Sequence, residues 1–154
     1  MTVDSLLRRL SLSLLVASLG VSGAEAADEV AGPVTAMVTR VIDGDTLEVQ
    51  AQVWLGLQLT SHVRIRGIDA PELHSTCARE KAMAEAARDR LSQLAVGTVR
   101  LANIADDKYG GRVDADVTNA DGADLGAAMI AAGLARPYDG GERADWCPVG
   151  SVAP

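Results

Sequence analysis

Several residue types that build common binding sites are scarce in this sequence. It has two cysteines and two histidines, His62 and His74, with no zinc-site spacing, so we interpret both histidines as surface residues. Basic residues are also few: 14 Lys and Arg stand against 21 Asp and Glu, a net charge of −7. The mean field therefore repels nucleic acid, and any phosphate-binding role must come from a local arginine cluster or a bound cation.

Residues 1–26 have the order of a secretory signal peptide. Arg8 and Arg9 precede the apolar run "LSLSLLVASLGV", and small residues end at Ala26. The run is too short to span a bilayer stably, so we predict cleavage near Ala26 rather than a retained N-terminal anchor, which is the alternative. The mature chain, residues 27–154, is then a single domain that leaves the cytoplasm, is periplasmic or secreted, and keeps its net charge of −7.

Cys77 and Cys147 are the two cysteines of the sequence. In an exported protein an even, small number of cysteines favours a disulfide, which would close a loop of roughly 70 residues and stabilise the fold by about 4 kcal/mol on the chain-entropy account. The alternative is two free thiols.

Hydrophobic patterning predicts a mainly β fold with two helices. Strands are expected at 34–42, 46–53, 59–68, 98–104 and 112–117, and helices at 77–95 and 125–132. In the second strand the inward residues are Leu47, Val49, Ala51 and Val53, and the first helix carries a stripe of Met83, Ala86, Ala87, Leu91 and Leu94. This order is typical of a five-stranded antiparallel barrel of the OB type with two helices packed on it.

Four carboxylates lie where strands turn or break. Asp43 and Asp45 flank Gly44 at the first hairpin, and Asp69 and Glu72 flank Pro71 after the third strand. If these strands are neighbours, Asp45 and Asp69 converge into a hard oxygen site suited to calcium. The alternative is a set of ordinary turn carboxylates, because Asp-Gly is a common turn dipeptide.

Arginines accompany these carboxylates. Arg64 precedes Asp69, and Arg112 begins the fifth strand. A guanidinium donates paired hydrogen bonds to a phosphate and stays charged, so both suit a phosphoryl transition state, and Glu72 could take a proton from the attacking water. The alternative is that Arg64 and Arg66 form a solvated strand face.

The motifs "VIDGDTL", "VRIRGIDAPE", "DKYGGR" and "GLARPY" occur in this order, and together they resemble the staphylococcal nuclease-like (thermonuclease) family. The resemblance covers almost all of the mature chain. It implies an OB barrel and a Ca²⁺-dependent phosphodiesterase that cleaves DNA and RNA, preferring single strands and leaving 3′-phosphates.

The resemblance also implies roles for individual residues. The calcium ligands would be Asp45 and Asp69, with Asp43 nearby, and the catalytic residues Arg64, Glu72 and Arg112. The nucleotide would contact Lys108 and Tyr109, and Tyr138 is either a further stacking surface or a packing residue.

The sequence departs from the family pattern at two places. Gly110 and Gly111 stand before Arg112 where one glycine is usual, so Arg112 either stays aimed at the site through a left-handed bulge or swings away. Ala70 replaces a frequent threonine. Our leading hypothesis is an exported monomeric nuclease. The main alternative is a module of the same fold that has lost turnover and binds single-stranded nucleic acid or a protein partner, and the weakest is a disulfide-stapled interaction domain.

Overall fold

The computed structural model of the protein describes residues 29–107 and 110–147. The predicted signal peptide and two predicted nucleotide-contacting residues, Lys108 and Tyr109, lie outside these ranges. Within the described ranges, no helix is both long enough and apolar enough to cross a membrane.

The elements follow the predicted order. The strands are β1 (Glu29–Val30), β2 (Val34–Val41), β3 (Thr46–Trp54), β4 (Leu57–Ile65), β5 (Ile68–Asp69), β6 (Thr98–Asp106), β7 (Arg112–Asn119) and β8 (Arg136–Pro137). The helices are α1 (Ala78–Leu94) and α2 (Leu125–Ala131), and the carboxylate of Asp124 caps α2 by accepting a hydrogen bond from the backbone N–H of Ala127, at 2.8 Å.

Strands β2, β3, β4, β7 and β6 form a closed barrel, so the predicted five-stranded OB-type barrel with two helices is confirmed. One pair differs from the antiparallel expectation: β4 and β7 run parallel. Helix α1 and strand β6 lie between them in the chain, which gives the long crossover connection that a parallel pair needs.

The core is formed by alternate strand residues and one face of each helix. Leu47, Val63, Leu91 and Met129 are fully buried in it. Two expected core residues are exposed. Val53 is 45% exposed, because the β3–β4 register is irregular at this point and the residues at the tip of the hairpin are exposed. On α1, Ala86 is exposed and Ala84 is buried instead. Two residues along a helix turn by about 200°, so the two alanines face opposite ways.

The third predicted strand is divided in two. Strand β4 ends at Ile65, Gly67 has a left-handed φ of 78°, and β5 then pairs with β8 instead of continuing the barrel. This break turns the segment from Asp69 to Glu72 towards the C-terminal residues.

Candidate active site

The position of Asp45 follows from the β3–β4 register. Thr46 pairs with Arg64 across the two strands, and the carbonyl oxygen of Asp45 accepts a hydrogen bond from the backbone N–H of Ile65 at 2.8 Å. The turn before it is closed by Asp43, whose Oδ1 accepts from the backbone N–H of Asp45 at 3.0 Å. Asp45 is therefore fixed next to Arg64 by barrel backbone.

Asp45 is 4% exposed, and its carboxylate accepts three hydrogen bonds. Arg64 Nη1 (3.1 Å) and Thr46 Oγ1 (3.0 Å) donate to Oδ1, and the backbone N–H of Ala70 donates to Oδ2 at 3.0 Å. Burial raises the pKa of Asp45 to about 6, against the opposing effect of Arg64 and with a further upward contribution from the charge of Asp43. We call Asp45, Thr46 and Arg64 the barrel half of the site.

Arg64 links Asp45 to the C-terminal residues. Its Nη2 donates to the carbonyl of Ile68 at 3.1 Å, and its guanidinium carbon lies 5.9 Å from the centre of the Tyr138 ring. Tyr138 is half-buried and donates its hydroxyl hydrogen to the carbonyl of Gly141 at 2.7 Å. Tyr138 thus contacts a predicted phosphate-binding arginine, an arrangement compatible with both packing and substrate stacking.

The predicted metal ligand Asp69 and general base Glu72 contact a residue that sequence reasoning missed. Arg143 donates through Nε to Asp69 Oδ1 at 2.5 Å, through Nη2 to the carbonyl of Ala70 at 3.0 Å, and through Nη1 to Glu72. Trp146 donates through Nε1 to the other oxygen of Asp69 at 3.0 Å. We call Asp69, Glu72, Arg143 and Trp146 the tail half of the site.

The tail half is held in place by covalent and aromatic contacts. The predicted disulfide between Cys77 and Cys147 is present. Trp146 is 6% exposed, and its ring lies 3.6 Å from the guanidinium carbon of Arg136. Since Cys77 follows Glu72 closely and Arg143 closely precedes Cys147, the disulfide brings Arg143 within reach of Glu72. The cysteine spacing was the available signal for this contact.

Arg143 keeps its charge in this position. Burial opposes that charge, but the hydrogen bond to Glu72 and the charges of Asp69 and Glu72 outweigh it and raise the pKa of Arg143 above its ordinary value.

The two glycines before Arg112 both adopt left-handed backbone, with φ of 68° at Gly110 and 72° at Gly111. Arg112 consequently begins β7 on the wall of the same cavity as Arg64. Its Nε donates to Asp107, a buried carboxylate that sequence reasoning did not single out. Arg112 therefore lines the cavity although two glycines precede it.

One cavity of about 860 Å³ is lined by Asp45, Arg64, Glu72, Arg112 and Arg143. Among the residues that the structure describes, its wall carries seven carboxylates and four guanidinium groups. The carboxylates belong to Asp43, Asp45, Glu72, Asp106, Asp107, Asp114 and Asp139, and the guanidinium groups to Arg64, Arg66, Arg112 and Arg143. These described groups include three more anions than cations, and such an excess attracts a cation more readily than a bare phosphodiester.

Asp114 is the least satisfied of these carboxylates. It lies opposite Arg64 in the β4–β7 register, and its Oδ1 is buried without a hydrogen-bond partner among the described residues. Burial and the charge of Asp107 raise its pKa, although three nearby arginines oppose the shift. Its position adds to the negative potential of the cavity.

The two predicted calcium ligands lie close in the chain's fold, because Asp45 accepts a hydrogen bond from the backbone N–H of Ala70, next to Asp69, but they line different cavities. Asp45 lines the large cavity, whereas Asp69 lines a neighbouring one of about 410 Å³. Both oxygens of Asp69 accept from tail residues, and across residues 29–107 and 110–147 no cluster of three or more His, Cys, Asp or Glu is suited to holding a metal. Carboxylate and carbonyl oxygens are the donors that calcium prefers, so the residue types fit the ion, and in this arrangement Arg143 and Trp146 occupy the two oxygens of Asp69.

A closed five-stranded barrel with arginines and carboxylates at the ends of β3, β4 and β7 defines a protein of the OB class with a polar cavity. The family model described as staphylococcal nuclease homologue matches residues 62–145, more than half of the chain. The chain belongs to this family, which indicates a nuclease-like, nucleic-acid-binding function. The match includes Arg64, Asp69, Glu72 and Arg112 but begins after Asp45. A search of curated proteins gave no match.

Proposed function

We propose that this chain is an exported, calcium-dependent nuclease that hydrolyses phosphodiester bonds of DNA and RNA, preferring single strands and acting as a monomer. The observation that carries the proposal is that Arg64, Glu72 and Arg112 share the wall of one cavity. Membership of the nuclease family supports the reaction class, and the disulfide together with the signal-like N-terminus supports export.

The chemistry assigned to these residues follows from their charge and position. Arg64 and Arg112 donate hydrogen bonds to the non-bridging oxygens of the phosphate, whose charge grows in the transition state. Glu72, with a side chain about half exposed in its ion pair with Arg143, accepts a proton from the attacking water. Tyr138 offers a ring face to a nucleotide base beside Arg64.

Calcium dependence is proposed from the family and from the excess of carboxylates around the cavity. When bound, a divalent cation would neutralise part of the phosphate charge. Asp45 is the proposed anchor for the ion, because its buried carboxylate is disfavoured as an anion in the absence of a further cation.

The test is cleavage of labelled single-stranded DNA and RNA by the mature chain, with calcium or with chelator, for the parent, Glu72→Gln and Glu85→Gln. Glu85 is an exposed residue of α1, so its variant makes the same chemical change outside the cavity. We expect Glu72→Gln to lower turnover by about 10²–10⁴-fold and DNA affinity by less than about 3-fold. Equal turnover of the two variants would contradict the base role.

A second candidate function is nucleic-acid binding without turnover. The observation that favours it is the engagement of Glu72 by Arg143, because a base in an ion pair is less available to water. Tight binding of single-stranded DNA by folded protein, with no cleavage under either condition, would establish this function instead.

A further inference from the structure

Arg143 makes three contacts within one short segment. Its three guanidinium nitrogens donate, one each, to Asp69, to the Ala70 carbonyl and to Glu72, which span four consecutive residues. The site therefore already holds one cation at this segment, and that cation belongs to the chain itself.

The same oxygens are those proposed to serve calcium and water. The family resemblance implies Asp69 as the second calcium ligand, and Glu72, three residues later, is the proposed base. A guanidinium and a calcium ion cannot share Asp69 Oδ1, since both are positively charged and each needs the same lone pairs. Trp146 donates one hydrogen bond to the other oxygen, so the ion can bind Asp69 Oδ1 only when Arg143 withdraws, and Trp146 lies in the same tail segment.

The disulfide keeps the tail close to Asp69 even when Arg143 is not bound there. Cys147 is bonded to Cys77, so Arg143 cannot diffuse far from Asp69, and a tethered group competes at a high effective concentration. Most of the other contacts are reversible: the Arg143 side chain is 39% exposed, and Trp146 is held by one hydrogen bond and by Arg136.

We propose that the tail, residues 138–147, is an autoinhibitory strap in which Arg143 occupies the calcium position as a tethered cation, so that tail docking and calcium binding exclude one another. The inference rests on the proposed calcium dependence and adds a means of controlling it. The strength of tail docking therefore sets the calcium concentration at which the ion displaces Arg143 from Asp69.

The test uses Trp54→Phe as the parent background. The sequence has two tryptophans, and Trp54 is 74% exposed on the hairpin tip, so this change leaves Trp146 as the sole tryptophan. Calcium is titrated while Trp146 emission is recorded, and calorimetry gives the Kd independently. We expect calcium to shift the emission to longer wavelength as Trp146 leaves its buried position.

The variants are Arg143→Ala and, as matched control, Arg90→Ala. Arg90 is exposed on α1 and contacts Gln93, so its removal makes the same change in net charge away from the cavity. We expect Arg143→Ala to bind calcium at least 10-fold more tightly than the parent, and Arg90→Ala to stay within about 2–3-fold. Arg143→Gln and Cys77→Ser/Cys147→Ser, each checked for folding by circular dichroism, are expected to shift affinity in the same direction.

The outcomes separate the strap from the proposed function. If the parent binds calcium and cleaves DNA, but Arg143→Ala binds no more tightly than Arg90→Ala or Trp146 emission does not move, the strap is wrong and the nuclease stands. If neither the parent nor Arg143→Ala binds calcium, calcium dependence fails, and the strap fails with it. Metal-independent cleavage in chelator would then preserve the nuclease assignment alone.

Discussion

The two halves of the site hold similar carboxylates by different means. Asp45 and Asp69 are both buried and both accept hydrogen bonds from an arginine. The arginine of the barrel half lies 19 residues away, on the neighbouring strand, whereas that of the tail half lies 74 residues away. Barrel strands fix the first pair, and the second depends on a segment joined to α1 by a disulfide.

This difference separates a rigid part of the site from a movable one. The barrel half is placed by strand register and persists whenever the barrel is folded. The tail half is made by side chains of a loop-rich segment, and such segments open with lower free energies than core strands. Under the proposed function, a site built this way keeps Arg64, the proposed phosphate-binding arginine, fixed while Asp69 changes partners.

Substitutions in the barrel half should have the largest effect on the free energy of unfolding. Arg64→Ala leaves Asp45 buried without its cationic partner, and loss of one partner of a buried pair costs about 3–5 kcal/mol in the free energy of unfolding. Urea unfolding in chelator measures the loss, and Arg143→Ala should lose less. The double variant Asp45→Asn/Arg64→Ala should recover part of the stability. If it is no more stable than Arg64→Ala, an unpaired buried charge is not the cause.

The pH dependence of stability tests Asp45 directly. Its folded pKa is raised from 3.8 to about 6, so between these values the folded state binds more protons than the unfolded state. The contribution of Asp45 to stability therefore falls as pH rises through this window, by a total on the order of 3 kcal/mol. The measurement is the difference in unfolding free energy between the parent and Asp45→Asn, in calcium-free buffer from pH 4 to pH 7. If the stability difference between the parent and Asp45→Asn is constant or increases with pH, the pKa of Asp45 is not raised in the folded state.

The smallest expected effect concerns the contact between the first turn and the Asp69 segment. A Cβ added at Gly44 would lie 2.7 Å from the Cβ atoms of Ala70 and Ala87, so Gly44→Ala should destabilise the fold by about 1–3 kcal/mol through overpacking. It should also displace the Asp45 carboxylate from the Ala70 N–H. Adding Ala70→Gly removes one of the two clashes and should restore part of the stability measured by urea unfolding. If Ala70→Gly restores no stability, the overpacking in Gly44→Ala does not involve Ala70.

Much of the fold was predictable because local patterns specify it. Strand alternation correctly predicted that Leu47, Val49 and Ala51 are buried. The predictions failed where a residue's surroundings are non-local. Val53 has the right alternation but lies where the hairpin extends past the barrel, and the parallel β4–β7 pair has no local signature.

The sequence by itself determined the chemistry available: which carboxylates and arginines stand at strand ends, that two cysteines could pair, and that two glycines could absorb an extra residue before Arg112. Only the tertiary structure decided which of these groups meet. Asp45 contacts Arg64 because of the strand register. Asp69 and Glu72 contact Arg143 in a segment that is joined to Cys77 by a disulfide across 70 residues. Contacts of that kind depend on how the whole chain closes on itself, and no window of local sequence contains them.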